Sequence, residues 1–182
     1  MTKTYTDISK DSRKLYQITK SGEHIFFLHN RSGEITFSIE KKGARVLLYG
    51  IYEGTKEDVF TLRTTQLHKA PHTTSQTLIK GIFSGQSRFS YDGLIRIEKK
   101  AQYTEAHLTN RNLVLSSKAI VHTQPILEIL PQDVICTHAA TIGAPNEEQI
   151  NFLISRGMNK KTATRLIVDG FKNELLSHLP TA

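Results

Sequence analysis

From Glu23 to Thr141 the chain is a succession of short apolar runs, each closed by a polar turn, and no segment of helical period interrupts them. The runs are HIFFLHN (24–30), EITFSIE (34–40), ARVLLYGIY (44–52), DVFTLRTTQL (58–67), QTLIKGIFSG (76–85), GLIRIE (93–98) and LVLSS (113–117). In EITFSIE strict alternation puts Ile35, Phe37 and Ile39 on one face of a strand. Gly, Asn, Asp and Ser mark the breaks. The pattern predicts a mainly β region at 23–144, preceded by a polar N-terminal segment at 1–22.

A faint internal echo narrows the architecture. SIEKKGARV (38–46) is similar to RIEKKAQYT (96–104) at a spacing of 58, and Ala101 and Ala119 follow lysines 18 residues apart. A step of 18–19 residues divides 58 into about three, which points to stacked coils of a solenoid. Periodicity alone supports a β-sandwich equally well.

After Gly143 the texture changes. Asn146 can cap a helix, Gln149 stands three residues on, and Glu147 and Glu148 suit the positive end of the dipole. Ile150, Leu153 and Ile154 form a stripe, and Gly157 suits a left-handed helix end. A second helix starts at Asn159, carries Ala163, Leu166, Ile167, Phe171 and Leu175 at spacings of three and four, and ends at Pro180. Residues 145–182 are therefore expected to form a helical hairpin, with Leu166, Ile167, Phe171 and Leu175 anchoring it to the β-region.

Composition bounds the function. The 182 residues suffice for a core without disulfides, and the lone cysteine, Cys136, suits a reducing compartment. No apolar run reaches the roughly 18 residues of a membrane span, and the first residues carry no apolar signal core. A cytoplasmic location and no membrane partner are expected. The formal charge of +7 permits an acidic partner, but the basic residues are scattered and no nucleic-acid motif is present, so no nucleic-acid partner is expected.

Among chemistry-bearing residues, Cys136 and His138 stand out. On a strand they share one side, about 7 Å apart, where thiolate and imidazole could ligate iron or an iron–sulfur species. Two ligands do not close a site, so another chain would complete it. The alternative is a buried free thiol beside a surface histidine. His68 and His72 flank Lys69-Ala70-Pro71 and read as turn residues. Glu98, Glu105 and Glu128 are carboxylates of the β-region.

PHTTS (71–75), KGIFSG (80–85), NRNLVLS (110–116), PILEI (125–129), CTHAAT (136–141) with the following Ile-Gly, and ISRGM (154–158) occur in an order that resembles the C-terminal half of the SufB and SufD iron–sulfur cluster assembly proteins. The resemblance runs from about Lys69 to Pro180, three-fifths of the chain. It implies a right-handed parallel β-helix followed by a small helical domain. It also implies a non-catalytic scaffold that pairs through its β-helix with a SufB-like chain or a second copy of itself. The helical domain would receive a SufC-type ABC ATPase, and iron or an iron–sulfur cluster would be held transiently in the assembled complex. SufB-type chains carry a sulfur-accepting cysteine where this chain has Asn110, and a glutamate where it has Ala139. SufD-type chains show Cys-x-His where Cys136 and His138 stand, so the chain resembles SufD, with Cys136 and His138 as iron or cluster ligands at the pairing surface. Two other readings are weighed: a β-helix enzyme acting on polysaccharide, from fold analogy, and a basic nucleic-acid-binding module, from charge.

Overall fold

Eleven strands precede two helices in the protein, which is described by a computed structural model covering residues 2–180. The outer bounds 1 and 182 of the expected segments lie outside the described residues. The strands are β1 (Lys3–Asp7), β2 (Leu15–Ile18), β3 (Gly22–His29), β4 (Gly33–Ile39), β5 (Ala44–Gly54), β6 (Val59–His68), β7 (Thr74–Phe83), β8 (Arg88–Ile97), β9 (Thr104–Val114), β10 (Ile120–Ile129) and β11 (Val134–Gly143). The helices are α1 (Glu147–Ser155) and α2 (Lys160–Leu176).

Odd-numbered strands form one six-stranded sheet and even-numbered strands a second of five, and every pairing is parallel. The chain thus winds from one sheet to the other and back, and each turn rests on the last. This is a parallel β-solenoid, and the sandwich is excluded.

Alternation within each strand builds the core. Ile35, Phe37 and Ile39 point between the sheets and are fully buried, with Leu28, Leu48, Tyr52, Phe83, Phe89 and Tyr91 around them. Tyr16, Phe26 and Phe37 make an aromatic ladder across β2, β3 and β4, with ring centroids 4.8–5.3 Å apart. Corners turn on residues with positive φ, among them Gly43, His72 and Tyr103 on one edge and Lys56 and Gly85 on the other.

Two expectations need correction. Ile39 pairs with His68 and His68 with Ile97, so one coil is 29 residues and the 58-residue echo spans two coils, not three. The 18-residue step from Ala101 to Ala119 merely crosses from one edge to the other. The solenoid also begins earlier than residue 23. β1 and β2 lie in the segment read as polar, because Tyr16 and Ile18 supply the inward positions that close its first turn.

The helices start at their caps. Asn146 accepts from the Glu148 and Gln149 N–H groups, and Asn159 from that of Thr162. The C-terminal half of α2 holds the hairpin to the sheet. Leu175 is fully buried and, with Leu179, packs against Ile25, Leu47, Tyr49, Ile51 and Leu78 on the outer face of the first sheet. His178 stacks on Tyr49. The expected anchor Leu166 is 48 % exposed and Ile167 is half-buried, whereas Phe171, also half-buried, lies against Lys80 and Arg111 of the strands.

Candidate functional site

Cys136 and His138 lie on β11, the edge strand of the first sheet. Register fixes their neighbours. Cys136 stacks on Ala106 and, one coil further, Ser75; His138 stacks on Leu108 and Thr77. Both therefore occupy inward-pointing columns. Cys136 packs against the inner core and is half-buried, whereas His138 is exposed, since no coil follows to cover it. Burial pushes the Cys136 thiol up, opposed by a hydrogen bond from the Ala106 backbone N–H. Among the described residues no group of three or more His, Cys, Asp or Glu side chains is placed to hold a metal ion. The two residues form half of a ligand set at most.

Asn110 sits in the next inward column, between Ile79 and Ala140. It is fully buried, donates to the Ile79 carbonyl at 3.1 Å and accepts from Asn112 Nδ2 at 2.7 Å. Its neighbour Ala139 faces outward on β11 and is exposed. Asn112 Oδ1 on β9 and Thr123 Oγ1 on β10 are buried without a hydrogen-bond partner among the described residues, which costs about 1–3 kcal/mol per group.

The two ends of the solenoid differ in chemistry. β1 carries Lys3 and Asp7, and Asp11, Arg13 and Lys14 follow it. β10 and β11 together carry one formal charge, Glu128. Around them Ile120, Ile126, Ile129, Leu130, Ile135 and Ile142 are exposed, Leu130 and Ile135 at 61 % and 62 %. An apolar pair of edge strands with a single charge is a template for association with another chain.

His68 proves to be more than a turn residue. As the last residue of β6 it points inward, fully buried, between Thr73 Oγ1 and Ser75 Oγ at 2.8 Å each. Burial lowers its pKa to about 4, so the ring is neutral and donates to one hydroxyl while accepting from the other. His72 does lie in a corner, stacked on Tyr103. The carboxylates offer no paired acid and base: Glu98 faces Lys100, Glu105 faces His107 and Glu128 faces Arg96.

Sequence reasoning missed Lys80. It sits outward on β7, fully buried beneath α2, and donates to Glu174 Oε2 and the Phe171 carbonyl at 2.6 Å each. Arg111 on β9 reaches the same carboxylate at 3.0 Å. A lysine inside the apolar run TLIKGIF was the available signal.

Comparison with known proteins agrees with this architecture. Residues 25–171 match the family model described as SUF system FeS cluster assembly, SufBD core domain. The chain is 39 % identical over 124 residues to the iron–sulfur cluster assembly protein SufD of Escherichia coli K12, covering 68 % of this chain and 29 % of that protein. It is 38 % identical over 112 residues to the SufBD family protein slr0076 of Synechocystis, covering 62 % and 25 %. SufB of Bacillus subtilis is 28 % identical over 142 residues, covering 78 % and 30 %. The chain thus spans under a third of the length of these relatives. With most of the parallel solenoid and of the helical hairpin inside the matched span, the chain belongs to the SufB/SufD family of iron–sulfur cluster assembly proteins and is SufD-like.

Proposed function

We propose that the chain is a non-catalytic scaffold subunit of an iron–sulfur cluster assembly complex, acting in the cytoplasm. It pairs through its last coil, with a SufB-like chain or a second copy of itself, and docks an ABC ATPase of the SufC type on its helical hairpin. The cargo is iron or a nascent cluster, held transiently where the paired chains meet. The observation that carries the reading is the position of Cys136 and His138. They are inward-facing donors at the one end of the solenoid where the edge strands are apolar and uncovered. Two donors are too few to hold a cluster, so a facing chain completes the set. Thiolate is the ligating form of cysteine, and a bound metal cation would offset the burial that disfavours it.

The hairpin supports the ATPase reading. Its fixed end is the C-terminal half of α2, and Phe152, Ile154 and Leu166 at the other end are exposed. Among the described residues no helix is long and apolar enough to cross a membrane.

The test is co-purification and light scattering of the wild type beside an Ile126→Asp/Ile135→Asp variant. Wild type should pair with itself or bring down a related chain, and should bring down the ATPase. The variant should lose pairing and keep ATPase binding. A wild type that stays monomeric and captures neither partner would overturn the reading.

A further inference from the structure

The corners that return the chain from the second sheet to the first stack along one edge of the solenoid. Hydrogen bonds from Glu40 N to Ile18 O, Lys69 N to Ile39 O and Glu98 N to His68 O fix that stacking. Thr19, Glu40, Lys69 and Glu98 therefore form one column, and Lys20, Lys41, Ala70 and Lys99 the next. The first column alternates in sign, and Lys69 lies 3.1 Å from Glu40. The second does not alternate. Lys20 and Lys41 occupy adjacent coils, about 4.8 Å apart along the solenoid, with Lys42 and Lys100 directly following Lys41 and Lys99 in sequence.

These five lysines are exposed. Only Lys100 has a carboxylate within 4 Å among the described residues, Glu98 at 3.8 Å. Like charges on facing positions destabilise a ladder, and the neighbouring column shows the stabilising alternative one residue away. The opposite corners of the same coils are different. Arg31 there is buried, residues 84–87 carry no charge, and the exposed Lys56 stands beside Glu57 and Asp58. The basic stripe is thus a property of one edge rather than of the whole surface. It is also free of the contacts described so far. The ion pairs of the hairpin are with Glu53, Lys80 and Arg111, toward the other ends of the strands, and the stripe stops before the last coil, whose corner is Leu130-Pro131-Gln132-Asp133.

We propose that this edge is a docking track for a carboxylate-rich segment of a protein partner. Its cations are compact ammonium groups on long stems, suited to recognition by charge and to fast encounter. Nucleic acid fits less well. Double-stranded DNA carries one negative charge per about 1.7 Å of axis, and Glu40 and Glu98 interleave with the lysines and would repel it. The planar guanidinium that grips phosphate in two places is missing from the stripe: the nearby Arg45 faces Glu23 at 3.7 Å. A protein segment mixing carboxylates with an occasional cation matches both signs.

The experiment measures binding of a fluorescent Asp/Glu-rich decapeptide and, separately, a single-stranded 20-mer DNA, at low and at moderate salt. The proteins are the wild type, a Lys41→Glu/Lys42→Glu/Lys99→Glu/Lys100→Glu variant, and a control reversing Lys10, Lys14, Lys56 and Lys118. All eight positions are exposed, and thermal melts establish that each variant is folded. The peptide should bind wild type and control alike, weaken with salt, and bind the corner variant more weakly by about tenfold or more. Equal peptide binding by corner variant and control, or no binding by wild type at low salt, would overturn the proposal. So would DNA that binds wild type more tightly than the peptide and is lost in the corner variant.

Discussion

Lys80 of β7 and Glu174 of α2, 94 residues apart in sequence, are joined by a 2.6 Å ion pair in which the lysine side chain has no solvent exposure and the glutamate is half exposed. The pair therefore behaves asymmetrically. The ammonium also contacts the Phe171 carbonyl and ring, so every partner named for it comes from α2. Glu174 has a second cation in Arg111.

Removing the half-exposed partner should cost more than removing the buried one. Glu174→Ala leaves a buried ammonium without its counter-charge and should destabilise by about 2–3 kcal/mol. Lys80→Met replaces the charge with an apolar chain of similar length and leaves Glu174 on Arg111, so it should cost under about 1.5 kcal/mol. The double variant should be more stable than Glu174→Ala alone, by urea denaturation. A double variant less stable than either single change would show that the pair is not the unit holding α2. The Lys80 ammonium also holds the Glu174 carboxyl below its usual range. That contribution is present above the ordinary carboxylate pKa and is lost as pH falls through the lowered value.

His68 should give the protein a distinct acid dependence. Its folded pKa is about 4, below the ordinary imidazole value of 6.5, because burial disfavours the charged ring. The unfolded chain therefore binds more protons between these values, and stability falls as pH drops from 6.5 to 4. The loss should total about 3 kcal/mol and level off below pH 4. Urea melts of wild type and His68→Gln across this range measure it. A variant that keeps the full slope would assign the effect elsewhere.

Leu175 and Leu166 share α2 and separate anchoring from display. Leu175→Ala should cost about 2–4 kcal/mol of hairpin docking, read as faster amide exchange in α2 while β7 stays protected. Leu166→Ala should change stability by under about 0.5 kcal/mol and weaken capture of the ATPase. The reverse pattern would place the anchor at the wrong end.

For the assembled complex, His138→Ala should lower iron and sulfide content after anaerobic reconstitution without lowering the melting temperature. Cys136→Ser, at a half-buried site, should lower the content and also the melt slightly. Wild-type metal content in the His138→Ala complex would remove these residues from the ligand set.

The strands were legible where alternation was strong, as in Ile35, Phe37 and Ile39, and the helix starts where Asn146 and Asn159 cap. The first turn was not legible, because its inward residues are few and its outward ones polar. Coil length was misjudged because a corner-to-corner repeat, Ala101 to Ala119, mimicked a full period. Leu166 looked like an anchor because a helical stripe marks an apolar face without saying which half of it meets the sheet. That Cys136 and His138 share one face of a strand was readable from alternation. The Lys80 clamp was not, since its partners lie 91–94 residues away and only the fold brings them near.

The central coils are each 29 residues long. Within the sheets each turn pairs only with the turns before and after it, so the solenoid is a stack of similar washers. Inserting one whole washer ahead of β3, outside the strands that α2 clasps, would preserve strand register and leave the chemistry of the last coil untouched. The distance between the charged blunt end and the apolar end is then a free dimension, adjustable by gene duplication in steps of about 4.8 Å.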